Sequence, residues 1–186
     1  MEDYLAKYMN DDGLDLLSLF NDDYIHSFKL LWNNHRYVSA AKLLFSFVDT
    51  LAFIEFGDSP KNFQRWLDTY ADLPSIHVDS DQLWELRNSL LHMTNANSRK
   101  VIRGNVPRTM FYVGQIQISP DFGEDGTKWF NLWDFFLQLT DACVTYCKSF
   151  QNNPAKFSTF IERYDSVISD CRYMVVNIDE LPTEIK

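Results

Sequence analysis

Apolar residues recur at intervals of three and four along most of this chain, the period of an amphipathic helix. Leu16, Leu17, Phe20, Tyr24, Phe28, Leu31 and Trp32 mark one such stripe and predict a helix over residues 14–34. Residues 37–56 are apolar on nearly every side and predict a second helix, with Gly57 placed to end it. Ser59-Pro60 has the form of an N-cap followed by Pro at the first helical position, opening a helix to about residue 72. Asp79, with Gln82 three residues later, approximates a capping box. The helix it starts runs to about 94, where Thr94-Asn95-Ala96-Asn97-Ser98 breaks the pattern.

The period changes after residue 100. Gly104-Asn105 reads as a turn and Gln115-Ile116-Gln117-Ile118 alternates polar and apolar, so residues 100–127 predict a small β-hairpin insert with a Gly-, Asp- and Pro-rich loop. Helix returns at 128–150, where Trp129, Leu132, Trp133, Phe136, Leu139, Cys143, Cys147 and Phe150 form the clearest stripe in the chain. Asn153-Pro154 restarts a last helix to about 172, followed by a flexible acidic tail. There is no internal repeat. The expected fold is mainly α: one domain over residues 1–186, a helical bundle with a core at about 14–175 and a hairpin insert.

Composition bounds the function classes. Hydrophobic residues are 46% and aromatics 16% of the chain, which implies a bulky core rather than disorder. Three Cys, and an acidic start (Met1-Glu2-Asp3-Tyr4) without a basic leader pattern, point to a reducing cytoplasm. No uncharged apolar run approaches the roughly 18 residues that span a bilayer. The strongest, Leu43 to Phe56, is interrupted by Asp49 and Glu55, so a soluble cytoplasmic protein without membrane association is expected.

The net charge of −9 opposes binding to a polyanion, but residues 1–23 and 162–186 carry all of it and the body is neutral. Within that body Arg99, Lys100, Arg103 and Arg108 lie beside Phe111 and Tyr112, a pattern that can hold single-stranded RNA by phosphate contact and stacking. The same residues fit a solvated hairpin. Cys143 and Cys147 sit four apart on a core stripe with no second pair of ligands, so they read as structural thiols and no metal is expected. His26, His35 and His77 have no partners at ligand spacing. The chain has no Gly-rich phosphate loop, no His-Glu-x-x-His and no Gly-x-Ser-x-Gly, so no cofactor is expected either.

The segment Leu83-Trp84-Glu85-Leu86-Arg87-Asn88-Ser89-Leu90-Leu91-His92-Met93 brings two reactive side chains to one helix. Arg87 offers a permanent planar charge that matches phosphate, and His92 a group that titrates near neutrality. At about 100° per residue they lie about 140° apart, so they share a substrate only if Arg87 uses its long stem and the helix frays at His92. The alternative is a structural ion pair at Arg87 and a helix C-cap at His92. Asp49, on the very apolar helix, is a carboxylate that needs a partner if it is buried. Otherwise it faces water on a polar edge.

This segment resembles the signature of the HEPN (higher eukaryotes and prokaryotes nucleotide-binding) superfamily, where Arg, often followed by Asn, Asp or His, precedes His with four to six residues between. The resemblance implies a HEPN-like helical bundle and a homodimer whose two-fold cleft is lined by the Arg87/His92 helix. It further implies metal-independent RNA cleavage to a 2′,3′-cyclic phosphate, as in toxins and antiviral effectors, with a cognate inhibitor protein as partner. In that setting Arg87, Asn88 and His92 are the catalytic candidates, and Asp49, on the helix packed against theirs as in many HEPN proteins, supports them by hydrogen-bonding Arg87 or His92; Arg99, Lys100, Arg103 and Arg108 hold RNA. The competing expectation is a non-catalytic HEPN-like dimerisation or nucleotide-binding module.

Overall fold

Helix α3 (Tyr37–Phe56) organises the molecule because its sequence leaves it little surface that tolerates water. Ala40, Leu44, Phe45, Phe47, Val48 and Leu51 are each fully buried. The computed structural model describes residues 4–11, 13–123, 125–151, 153 and 155–168. Around α3 pack α2 (His26–Asn33), α4 (Asn62–Tyr70), α5 (Ser80–Met93) and α8 (Ala155–Ile168); a single turn, α6 (Arg99–Ile102), follows α5, and α7 (Leu132–Gln151) closes the bundle against α4 and α1 (Leu16–Phe20). Helix α3 is also long and apolar enough to cross a membrane by length and composition, and half of that stretch is buried inside the bundle.

The mainly helical expectation holds. Helix α3 keeps its predicted bounds, and the stretch predicted over 14–34 is helical from Leu16 to Asn33, with a π-helical turn at Asn21–Ile25 joining α1 to α2. The aromatic residues explain the thick core. Phe28 stacks on Phe136 with ring centroids 4.1 Å apart, and Tyr146 of α7 meets both Trp66 and Phe20.

Gly57 ends α3 as expected, at φ 77° and ψ −163°, a region essentially closed to side chains. Ser59-Pro60 does not open the next helix. Helix α4 starts at Asn62, whose amide donates to the Gly57 carbonyl at 2.6 Å, so the orphan carbonyl after α3 is satisfied from the start of α4.

The β-hairpin is the main correction. Strands β3 (Thr109–Tyr112) and β4 (Lys128–Asn131) pair in parallel, not antiparallel. Parallel pairing needs a long crossover rather than a tight turn, and residues 113–127 supply it, with no helix among the described ones. The alternating Gln115–Ile118 stretch lies in that crossover, with Ile116 84% exposed. Alternation there has no core to face. Trp129, assigned to a helical stripe, belongs to β4, and α7 begins three residues later, where Asn131 accepts a hydrogen bond from the Trp133 amide. A second, two-residue pair, β1 (Met9–Asn10) with β2 (Gly13–Leu14), is antiparallel. The predicted tail and the last helix beyond 168 lie outside the described residues.

A buried polar knot ties α8 to α3. Lys156 lies 2.8 Å from Glu55, both 14% exposed, and also donates to Tyr70 and Ser149. Tyr70 in turn donates to Glu55 at 3.0 Å, and Arg163 donates to the Ile54 carbonyl. None of these partners is legible as a pair in the sequence.

Helix α5 begins as expected. The Asp79 carboxylate accepts from the Gln82 amide at 2.8 Å, and the Gln82 side chain accepts from the Asp79 amide at 2.9 Å. Asp79→Ala removes one half of that box and should destabilise the protein by about 1 kcal/mol. Urea denaturation checks it, with a lowered midpoint and an unchanged slope.

Candidate functional site

Helix α5 lies on α3 so that Arg87 reaches Asp49. The Arg87 Nε donates to Asp49 Oδ2 at 2.8 Å, and Nη2 stands 2.6 Å from the same oxygen. Nη1 donates to the Asn88 side chain at 2.8 Å, and the guanidinium carbon sits 5.1 Å from the centre of the Trp84 ring. The expected Asp49–Arg87 partnership is therefore formed, and the reading of Asp49 as a water-facing edge residue is not. The pair is mostly shielded, with side-chain exposures of 20% for Arg87 and 28% for Asp49.

Burial pushes the Asp49 carboxyl above its ordinary value, while the hydrogen bond and charge of Arg87 pull it back without cancelling the rise. A guanidinium has five N–H groups. Asp49 and Asn88 take three, which leaves one N–H on each terminal nitrogen of Arg87.

His92 is placed differently. It is exposed, still helical, and one residue short of the end of α5. The fray expected at His92 does not occur. The chain turns two residues later at Thr94, which takes a left-handed conformation (φ 53°) while its amide donates to the Leu90 carbonyl. Lys42 of α3 fastens that turn by donating to Thr94 Oγ1 at 2.8 Å. Thr94, not His92, therefore caps the helix. Within one chain the regular helix keeps Arg87 and His92 about 140° apart.

A cavity of about 380 Å³ opens beside the ion pair, walled by Asp49, Trp84, Lys61, Asn62, Gln64 and Lys100. The Gln64 side-chain oxygen is buried with no hydrogen-bond partner among the described residues. Lys61, Gln64 and Trp84 were not singled out from the sequence. Trp84 carried a usable signal, standing one turn before Arg87 on the same side of the helix. Lys61 carried none, since its place depends on a left-handed backbone (φ 68°).

The four expected RNA-binding cations do not form one track. Arg99 and Arg103 are exposed and make no ion pair among the described residues. Lys100 is 3.0 Å from Glu85, whose side chain is only 6% exposed, so its charge serves a buried acid. Arg108 stands on another face, with Nη1 3.9 Å from Asp125. The neighbouring rings are occupied too. Phe111 packs on Phe130, and the Tyr112 hydroxyl accepts from the Ile118 amide.

Cys143 and Cys147 are core thiols, as expected. Burial pushes both up, Cys147 to about 12, so neither is a thiolate near neutrality. No cluster of three metal-ligating side chains occurs among the described residues.

Asp49 gives a pH signature with a definite sign. A carboxyl whose folded value is raised binds its proton more tightly in the folded state, so stability falls as pH rises from 3.8 through the raised value and is flat above it. Asp49→Asn should remove that fall. Denaturation midpoints of wild type and variant, measured from below pH 3.8 to neutrality, should show the wild-type advantage shrinking as pH rises.

Searches of family models, curated proteins and solved structures find no match to this chain. The meaning of the site rests on its own geometry.

Proposed function

We propose that this protein is a metal-independent RNA endonuclease of the HEPN type that works as a homodimer. The observation that carries the reading is the Arg87 fork: Asp49 and Asn88 hold it in place, and it keeps an N–H on each terminal nitrogen for a phosphate oxygen. The ribose 2′-hydroxyl attacks the adjacent phosphorus as His92 accepts its proton. The P–O5′ bond breaks, the departing 5′-oxygen takes a proton from water, to which His92 returns the one it accepted, and a 2′,3′-cyclic phosphate remains. Arg87 stabilises the charge that builds on the phosphoryl oxygens.

Asn88 is a positioning residue in this scheme, since its side-chain oxygen accepts from Arg87. His92 points from another side of α5, so the second subunit brings its His92 to the first subunit's Arg87. A cognate inhibitor protein covering the exposed end of α5 would keep such an enzyme silent.

A second reading has its own observation. Three of the five Arg87 N–H groups are already engaged and the side chain is largely buried, as a structural ion pair requires. On that reading the chain is a non-catalytic HEPN-like dimerisation or nucleotide-binding module.

RNA cleavage in the presence of a chelator separates the two. Wild type should cut single-stranded RNA to cyclic-phosphate ends, and His92→Ala should lower the rate by about 10²–10⁴. Equal rates, or no cutting of varied RNAs by the wild-type dimer, would leave the structural reading. If Arg99 and Arg103 hold the strand, replacing both by Ala should reduce the slope of log affinity against log salt by about 0.7 per lost phosphate contact.

A further inference from the structure

A second cavity, of about 350 Å³, lies against α5 at Leu86 and Leu90. Its wall is mostly hydrocarbon: Val38 of α3, Leu86 and Leu90 of α5, and Met110 and Phe111 of β3. Thr94 and Asn95 add neutral polar side chains, and Arg108 is the one charged residue among the described ones that line it. Arg108 lines the cavity, and its Nε is buried with no hydrogen-bond partner among the described residues. Its Nη1 is turned toward Asp125, 3.9 Å away. The edge formed by Nε and Nη2 is the edge with which a guanidinium grips a carboxylate through two parallel hydrogen bonds. A buried N–H without an acceptor is unfavourable, and it marks where an acceptor belongs.

We propose that this cavity binds a monocarboxylate with an apolar body, gripped by the Nε–Nη2 edge of Arg108 and laid against Leu86, Leu90, Met110 and Phe111. The surrounding charges select the head group. Asp125 and the carbonyl end of α5 disfavour a second negative charge, and the neighbouring Lys42 is turned to Thr94. A singly charged carboxylate suits the site better than a phosphate monoester. The apolar wall demands a hydrocarbon or aromatic body rather than a short polar acid.

The site is independent of RNA cleavage and is tested without RNA. Decanoate, titrated below its micelle concentration and followed by calorimetry and by chemical-shift changes, should bind the intact protein saturably at one site. Decanol, the neutral analogue, and decyl phosphate should each bind at least about tenfold more weakly. Arg108→Gln should weaken decanoate binding by a similar factor while leaving decanol unchanged. If that variant does not fold, the comparison of decanoate with decanol on wild type still decides. Absent decanoate binding, equal affinity for decanol, or shift changes away from Leu86, Leu90 and Phe111 would each overturn the proposal.

Discussion

A carboxylate set into an apolar helix must be answered by a cation at the point where it is buried, and this requirement governs how α5 lies on α3. Asp49 is mostly shielded on α3, and Arg87 of α5 answers it with two nitrogens on one carboxylate oxygen. The capping box at Asp79–Gln82 fixes where α5 begins, and the Lys42–Thr94 bond fixes where it turns. Between those two clamps the position of Arg87 is determined, and with it the orientation of Trp84 and Asn88. The two cavities flanking α5 inherit their shapes from the same crossing.

The same device recurs. Glu85 is matched to Lys100, and Glu55 to Lys156, so three shielded acids are each answered by a cation from a different element. Two of these cations belong to stretches whose sequence suggests a role toward a ligand. Lys100 is spent on Glu85, while Arg87 keeps part of its donor capacity. The distinction is one of valence: an ammonium facing a buried carboxylate is a counter-charge, whereas a guanidinium can serve a carboxylate and still address a second anion.

Much of the helical frame was legible because it depends on local chemistry. The period of apolar residues, Gly57 and the Asp79–Gln82 box each act within a few residues, and each marks a real boundary. The Asp49–Arg87 contact was legible for another reason: an acid in an apolar run needs a partner, and the HEPN resemblance pointed to Arg87 or His92 on the helix packed against it. The insert was misread because Gln115–Ile118 alternates without facing a core, while the pairing partner of β3 lies beyond a long crossover that local sequence cannot reveal. Glu85 and Lys100, like Glu55 and Lys156, escaped notice since nothing near an exposed-type residue announces that distant packing will bury it. Arg87 and His92 together were legible as chemistry and not as geometry, because a regular helix keeps them apart.

The knot between Glu55 and Lys156 also sets an order of events. The helix carrying Glu55 leaves the ribosome before the chain that carries Lys156 exists, by about 5–20 s at ordinary rates of synthesis. Of Tyr70 and Lys156, Tyr70 is the partner already made during that interval. Lys156 thus completes, from the C-terminal side, a contact that Glu55 and Tyr70 begin.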